Sequence, residues 1–504
     1  MRIVSSGCKL SSFSRGQVVY LVVSSFIVLL GFAGLATDIG LLWNTRLKMQ
    51  SAADAAALAG ADALLAGDTD YSDAATSAAT QNGFPNGSGT TNNSNTVTVT
   101  ASNPPAGGAH TSDSSAVQVV ISQTQPTFFL RAVGVSSMAE SVTSTATALS
   151  GSGCIYTLDK TASQAFLINS GSFTSSCGIM DDSNSSTAFN VNSGGTVSTN
   201  AIGVVGGVSD TGSVTPTPVT GIAPFSDPLA SLAVPSPISA VSACTIVQPA
   251  QNFNSAGTYT LAHGCYSTMN FNSTGAIVNL NDGGNYQFPN GLSTQGTVNL
   301  NGAGSYYFGS TVNINSGTFN AGGSGSYYFA SGFNINSGVT ATTGLAYFGS
   351  TVNFNGSGVW NLSSNGTYYF NSGLTDDAGG TIRSQTASGT ATNNTLYFNS
   401  GTLTINSSAV LNLTAPTSGT YAAVLMFQNR TDNTAVNIDS GSSVTLNGAL
   451  YFPDATITLN GGYVNTYSFV IADKVDINGG TFTINSNYSS LTAGSPIKRT
   501  AVVE

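Results

Sequence analysis

One short motif returns again and again through the second half of the chain, and it restricts the fold more than anything else in the sequence. Tyr306-Tyr307-Phe308 recurs as Tyr327-Tyr328-Phe329, Tyr347-Phe348, Tyr368-Tyr369-Phe370, Tyr397-Phe398 and Tyr451-Phe452, with Phe427 as an intermediate. Three of these are followed by Val312-Asn313-Ile314-Asn315, Phe333-Asn334-Ile335-Asn336 or Val352-Asn353-Phe354-Asn355, then a Ser/Gly turn. Farther upstream, the run from Ala165 to Gly171 recurs from Ala188 to Gly194. A unit of about 20 residues made of short alternating strands has an apolar side that it cannot bury alone. Stacked as coils of a parallel β-helix, with about 20–23 residues per coil, it can. The alternation predicts Val312, Ile314 and Phe319 inward and Asn313 outward. Asn315 and Asn336, at matching positions, are set to hydrogen-bond between coils. At about 4.8 Å per coil, residues 154–490 give a rod of roughly 70 Å. A β-sandwich array is the alternative, and a 20-residue period suits it poorly.

The composition agrees with an all-β stack. Only 7% of the 504 residues are charged, against about 25% in an ordinary soluble domain, while 41% are hydrophobic, which excludes disorder driven by charge. Twelve Lys plus Arg and a net charge of −10 argue against nucleic-acid binding, which requires clustered cations. Thr215 to Pro237 holds six of the fifteen prolines. It reads as an extended insertion that either interrupts the coils or separates a small first part from the main rod.

The cysteines divide into Cys8 and a distal set, Cys154, Cys177, Cys244 and Cys265. Proximity in sequence predicts Cys154–Cys177 and Cys244–Cys265 disulfides, with four buried thiols as the alternative. There is no CxxC spacing, and His110 and His263 are the two histidines, so no zinc site or other cofactor is expected.

No charge lies between Arg15 and Asp38, and Val18 to Thr37 is an apolar run long enough to cross a bilayer of about 30 Å. Arg2, Lys9 and Arg15 precede it, which places the N-terminus in the cytoplasm. A cleaved signal peptide ending near Gly34-Leu35-Ala36 is the rival, but the apolar stretch continues to Trp43, a residue suited to the outer interface. Ser51 to Gly67 contains nine alanines, with Leu58 and Leu65 one heptad apart. It is predicted as helix, serving either close helix–helix approach or a plain surface. A short helix near Asp70 to Gln81 follows, then strands at Thr96–Thr100, Ala116–Ser122 and Ser141–Ala148. The outline is one long helix packed on a small antiparallel sheet.

Arg15-Gly16, the apolar span and the run Ala36 to Ala61 (A-T-D-I-G-L-L-W-N-T-R-L-K-M-Q-S-A-A-D-A-A-A-L-A-G-A) closely resemble the N-terminal domain of TadG-like proteins, in the TadE/TadG group of Flp (Tad) pilus assembly. Pro126 to Gly134 (P-T-F-F-L-R-A-V-G) and the Thr/Ser/Ala-rich strand after it also resemble that family, over residues 15–150 in all. The resemblance implies a single-pass protein of the bacterial inner membrane, with its bulk periplasmic or surface-exposed. Its implied partners are the Tad/Flp pilus machinery or pilin-like subunits. Processed pilin-like relatives carry Glu five residues after the cleaved Gly, whereas Gly16 is followed at that spacing by Leu21, so an unprocessed N-terminus is expected. The resulting division is 1–15 cytoplasmic, 16–43 transmembrane helix, 44–150 TadG-like α+β region, 151–214 first β-repeat region, 215–243 Pro-rich linker or insertion, 244–490 parallel β-helix, and 491–504 C-terminal tail.

A parallel β-helix also suits enzymes that act on polysaccharide through clustered carboxylates. After residue 150 the cations are Lys160, Arg383, Arg430, Lys474, Lys498 and Arg499. Asp376-Asp377 followed by Arg383 is the best local cluster, and its Gly-rich surroundings read as a solvated loop. Asp181-Asp182-Ser183-Asn184-Ser185 matches the D-x-S-x-S pattern of metal-dependent adhesion sites, yet it lies between two copies of a β-repeat and reads as a polar turn. Loose Ca²⁺ binding by Asp181 and Asp182 is the alternative there. Neither histidine belongs to a triad pattern. The expectation is a non-enzymatic component with a structural or adhesive rod; a membrane-tethered β-helix enzyme acting on surface polysaccharide is the alternative.

Overall fold

The structure, a computed structural model, describes residues 15–65, 70–87, 96–150, 153–239, 245–406, 408–440, 443–463, 465–492 and 494–503. The chain forms two compact units, residues 1–149 with 498–504, and residues 150–497.

In the first unit a single helix, α1 (Arg15–Leu65), runs without a break from the apolar span into the Ala-rich stretch. Its N-terminal part is long and apolar enough to cross a membrane, and Val18, Tyr20, Leu21, Phe26, Ile27 and Leu29 are all more than half exposed. Farther along, the buried stripe is made of alanine. Ala52, Ala53, Ala56, Ala57 and Ala61 are fully buried against α2 (Tyr71–Gln81) and an antiparallel sheet, while Leu58 is only partly covered. Small side chains let neighbouring backbones approach closely: a Cβ on Gly60 would lie 2.9 Å from Val117. The sheet is β1 (Val97–Ser102), β2 (Ala116–Pro126) and β3 (Ser137–Ser150), paired in that order. These are the strands expected from sequence, each somewhat longer. A fourth strand, Lys498–Val502, joins the β3 edge, and the Val503 amide donates to the Thr145 carbonyl at 2.8 Å. This last segment, read from sequence as a tail, therefore completes the sheet of the first unit.

The second unit is a parallel β-solenoid of about 14 turns, each of roughly 22 residues. Each full coil contributes three short strands, and every strand pairs in parallel with its counterpart one coil away. The inward and outward assignments hold: Val312, Ile314 and Phe319 are fully buried, and Asn313 is half-buried. Identical residues stack in register, Asn313 on Asn334 and Ile314 on Ile335. Phe288, Phe308, Phe329, Phe348, Phe370 and Phe398 form an internal ring ladder with centroids 4.8–5.1 Å apart, a spacing that adds stacking to burial. Coils this close leave no room at the corners. At Gly317 φ is +80° and a Cβ would lie 2.3 Å from the Gly296 carbonyl oxygen, so only glycine fits.

A second buried ladder locks another corner. The Tyr306, Tyr327 and Tyr368 hydroxyls donate to the carbonyls of Leu280, Leu300 and Thr343 in the preceding coil, at 2.6–2.8 Å. Each also accepts an amide from its own coil: Gly302, Gly323 and Ser364. Buried tyrosine requires such a partner.

The order of the coils differs from the order of the chain. Ile457 pairs with Val475, Val475 with Phe166, Phe166 with Phe189, and Phe189 with Val208. The first coils, from Gly153 onward, thus stack on the last coil, Ser468–Ile484, and extend the solenoid beyond it. The chain leaves the stack after Thr220 and re-enters at Val247, in the coil at its opposite end. Of the 26 residues between them, the described stretch 221–239 makes several contacts with the coils. The Phe225 amide donates to Asp182 Oδ1 at 2.9 Å, and the Phe225 ring meets Tyr156 edge-on. Asp227 Oδ2 accepts from the Tyr451 hydroxyl at 2.5 Å. The segment is a strap laid along the coils rather than a spacer between two separate parts.

Candidate functional site

In the first unit, the two stretches that carry the family resemblance meet at one point. Gly34 and Asp38 lie one turn apart on α1. Pro126 ends β2, and the chain then turns through the short 3₁₀ helix Leu130–Val133 before β3. The Asp38 carboxylate, 2% exposed, accepts three successive backbone amides of that turn: Phe128 at 3.0 Å, Phe129 at 2.9 Å and Leu130 at 2.7 Å. One carboxylate thereby satisfies amides that the turn leaves without backbone partners. The Phe129 ring lies over Gly34, where a Cβ would come within 2.8 Å of it. Gly134, at φ +93°, closes the turn, and the Thr127 hydroxyl donates to the Val135 carbonyl across its base. Sequence reading singled out both stretches; that one is the hydrogen-bonding partner of the other was not visible from it.

The solenoid presents uncharged ladders of asparagine. Asn334 donates to Asn313 at 2.7 Å and Asn353 to Asn334 at 3.1 Å. Asn336 donates to Asn315 at 2.8 Å, as expected from their spacing, and Asn355 to Asn336 at 3.0 Å. A third ladder links Asn320, Asn299 and Asn279 at 2.8 Å per step. Asn334, Asn336 and Asn299 each donate to one neighbour and accept from the other, so the faces are polar without being charged.

The structure corrects the reading of Asp376 as part of a solvated loop. Asp376 is fully buried, in register between the apolar Phe354 and Ile405 of the inward ladder. Its Oδ1 accepts the Gly380 amide at 2.9 Å and the Ala378 amide at 3.2 Å, and burial pushes its carboxyl above the usual range. Asp377 is exposed and accepts from the Asn406 side chain. Arg383 lies on a different sheet of the coil, paired in register with Asn361 and Asn412. The three residues therefore do not converge on one groove.

Asp181 and Asp182 do lie in a tight turn, but both carboxylates are buried. Asp181 points into the core in register with Thr157 and Val204, and burial pushes it up to about 6. Its Oδ1 accepts the Ser183 amide at 3.0 Å, and its Oδ2 has no hydrogen-bond partner. Asp182 fastens the strap through Phe225. Among the described residues, no group of three or more His, Cys, Asp or Glu is placed to hold a metal. His263 pairs with Asp282 at 2.9 Å, and Asp282 also accepts the Gly284 amide and the Tyr286 hydroxyl, a corner clasp rather than a triad. A polar depression where the last coil meets the first is lined by Ser176, Thr466, Asn485, Ser486 and Asn487, with no ionisable side chain.

Cys154 and Cys177 form a disulfide that joins the first two coils. Cys265 is disulfide-bonded, and its expected partner Cys244 lies outside the described residues. In the sequence Arg430 is one of six cations after residue 150, with no role assigned to it. Its guanidinium donates to the Leu229 and Leu232 carbonyls of the strap at 2.8 and 2.7 Å and to the Tyr451 hydroxyl at 2.8 Å. It also sits over the Phe427 and Tyr451 rings. The available signal was scarcity, since a half-buried charge in so uncharged a chain needs a fixed partner.

Comparison with known families places the first unit. Residues 16–63 match the model of the Tad family, described as Flp pilus-assembly TadE/G-like, and residues 53–146 match Tad_C, described as Tad-like Flp pilus-assembly. No curated protein and no solved structure matches the chain. The two matched regions contain both Asp38 and the turn that it holds, and together the two Flp pilus-assembly family models cover residues 16–146 of the chain.

Proposed function

We propose that the protein is a membrane-anchored, TadG-like component of a Flp/Tad-type pilus assembly or surface-attachment system, with the solenoid as a structural or adhesive rod. The observation that carries this reading is the continuity of α1, which joins an exposed apolar segment directly to the Tad-matched sheet. The leading cations favour a cytoplasmic N-terminus in the inner membrane and a periplasmic or surface-exposed bulk. The reading is non-enzymatic: Asp376 serves the core, Arg383 faces elsewhere, and the Asn ladders offer a long hydrogen-bonding surface of low charge. Pilin-like subunits of the same machinery are the partners expected for the first unit.

Deleting the gene and complementing it with the full chain tests this. Loss of surface pili or of attachment, restored by complementation, is expected, with a periplasmic reporter active after residue 150 and resistance to carbonate extraction. Unchanged pili and attachment would overturn the assignment. Release of oligosaccharide from envelope polysaccharide by the purified full chain, abolished in Asp376→Asn, would restore the enzymatic alternative.

A further inference from the structure

The turn held by Asp38 is apolar on its outer side. Phe128 is 69% exposed, Phe129 55% and Val133 75%, and Val135 and Met138 continue the patch. Five exposed apolar side chains within eleven residues form a patch, whereas the other large apolar side chains exposed outside α1 among the described residues are few. The patch is continuous with the exposed side of α1, where Leu35, Ile39 and Trp43 are also open.

Depth along α1 identifies what covers it. The apolar run Val18 to Thr37 is about 30 Å long as helix, the thickness of a hydrocarbon core. Its boundary therefore falls beside Asp38. Trp43, about 7 Å farther on, sits at headgroup level. Gly34, under the Phe129 ring, is about 6 Å on the inner side of Asp38, which puts that ring within the acyl region. Irregular backbone at this depth finds no water, so its amides must be satisfied by protein. Asp38 does this for Phe128, Phe129 and Leu130. A carboxylate at the edge of an apolar span and an exposed apolar turn explain each other.

We propose that the segment from Pro126 to Met138 is a membrane-inserted wedge, its aromatic and aliphatic side chains embedded among the lipid acyl chains of the leaflet at the Asp38 end of α1. This rests on the reading of α1 as a membrane span and adds a second, non-helical point of insertion. Arg131, exposed on the same turn, is long enough to reach back to lipid phosphate. Two insertion points fix the tilt and rotation of the sheet unit, which a single helix leaves free.

Spin-label accessibility tests the wedge in the full chain, with Cys8→Ser as background, reconstituted in phosphatidylethanolamine/phosphatidylglycerol vesicles. Nitroxides are placed singly at Phe128→Cys and Val133→Cys, both open positions, with Leu29→Cys in the span and Ser77→Cys on the exposed side of α2 as references. Oxygen accessibility several-fold above that of a water-soluble nickel complex, at both turn positions as at Leu29, is expected. If Leu29 is lipid-exposed while both turn labels behave like Ser77, the wedge is overturned and the anchor stands. Turn labels shielded from both reagents would mean that protein covers the patch, which also overturns it. Water-like behaviour at Leu29 would refute the span, and the wedge with it.

Discussion

Tyr156, in the first coil of the solenoid, pairs in register with Ile471 in the last. The chain thus enters and leaves the stack in adjacent coils, and Tyr156 also receives the Phe225 ring of the strap that departs for the far end. The stack holds its first coils in place by pairing, by the strap and by one covalent link, and each can be removed separately.

The Cys154–Cys177 link closes a loop of 23 residues, for which restriction of the unfolded chain contributes about 3 kcal/mol. Cys154→Ser with Cys177→Ser should lower the solenoid's unfolding free energy by that amount, measured by guanidinium denaturation. Non-reducing peptide mapping should find this pair, and with it Cys244–Cys265.

Arg430→Ala removes three hydrogen bonds from a guanidinium, two of them to the strap. A loss of about 2–3 kcal/mol is expected, felt first as loosening of the strap. Limited proteolysis with mass spectrometry should show cleavage within residues 221–239 well before any coil is cut. Arg430→Lys should not rescue it, because an ammonium does not reproduce the planar fork. Cleavage as slow as in the parent protein would show that the strap does not depend on Arg430.

Ile314→Asp would bury a carboxylate between Thr294 and Ile335, at a cost of several kcal/mol. Asn313→Asp keeps the acceptor used by Asn334 and should cost within about 1 kcal/mol. Asp376 shows what makes burial tolerable at an equivalent position: two amides, from Ala378 and Gly380, turn back onto its Oδ1. After Ile314 the amide four residues on, that of Thr318, is already given to the Gly296 carbonyl. Equal losses in protease resistance from the two variants would contradict the alternation.

Asp181 should make the solenoid less stable at neutral pH than in mild acid. Burial raises its carboxyl from the ordinary 3.8 to about 6, so the folded state holds the proton to higher pH than the unfolded chain does. The favourable contribution is complete below pH 3.8 and is lost as pH rises to about 6, a change on the order of 3 kcal/mol. Asp181→Asn should therefore be more stable than the parent at pH 7.5 and should converge with it near pH 4. Parallel denaturation midpoints across that range would show that Asp181 is not the group responsible.

Tyr327→Phe should cost about 1–3 kcal/mol, because it strands the Leu300 carbonyl and the Gly323 amide inside the corner. Thermal unfolding of the full chain measures it, and a neutral result would mean that the corner relaxes around the missing hydroxyl.

The sequence by itself determined the features that depend on near neighbours. Alternation of Val312, Asn313 and Ile314 set which side chains face inward, since successive residues of a strand point to opposite sides. The recurring Tyr/Phe motif set the coil length, and the Ala-rich run after the apolar span set a continuous helix. Long-range pairing was decided only in three dimensions. Every coil offers the same parallel backbone edge and a similar row of apolar residues, so nothing local in Phe166 says that it stacks on Val475 rather than standing apart. The same holds for the closing strand Lys498–Val502, for Arg430 and Leu229, and for Asp38 and the Phe128 amide. Asp376 was misread for a related reason: an acidic pair among glycines resembles a solvated loop until the amides that return to it are in place. Periodicity is written residue by residue, but closure is chosen by the free energy of the whole stack, where one register among many equivalent edges satisfies every strand, strap and buried charge together.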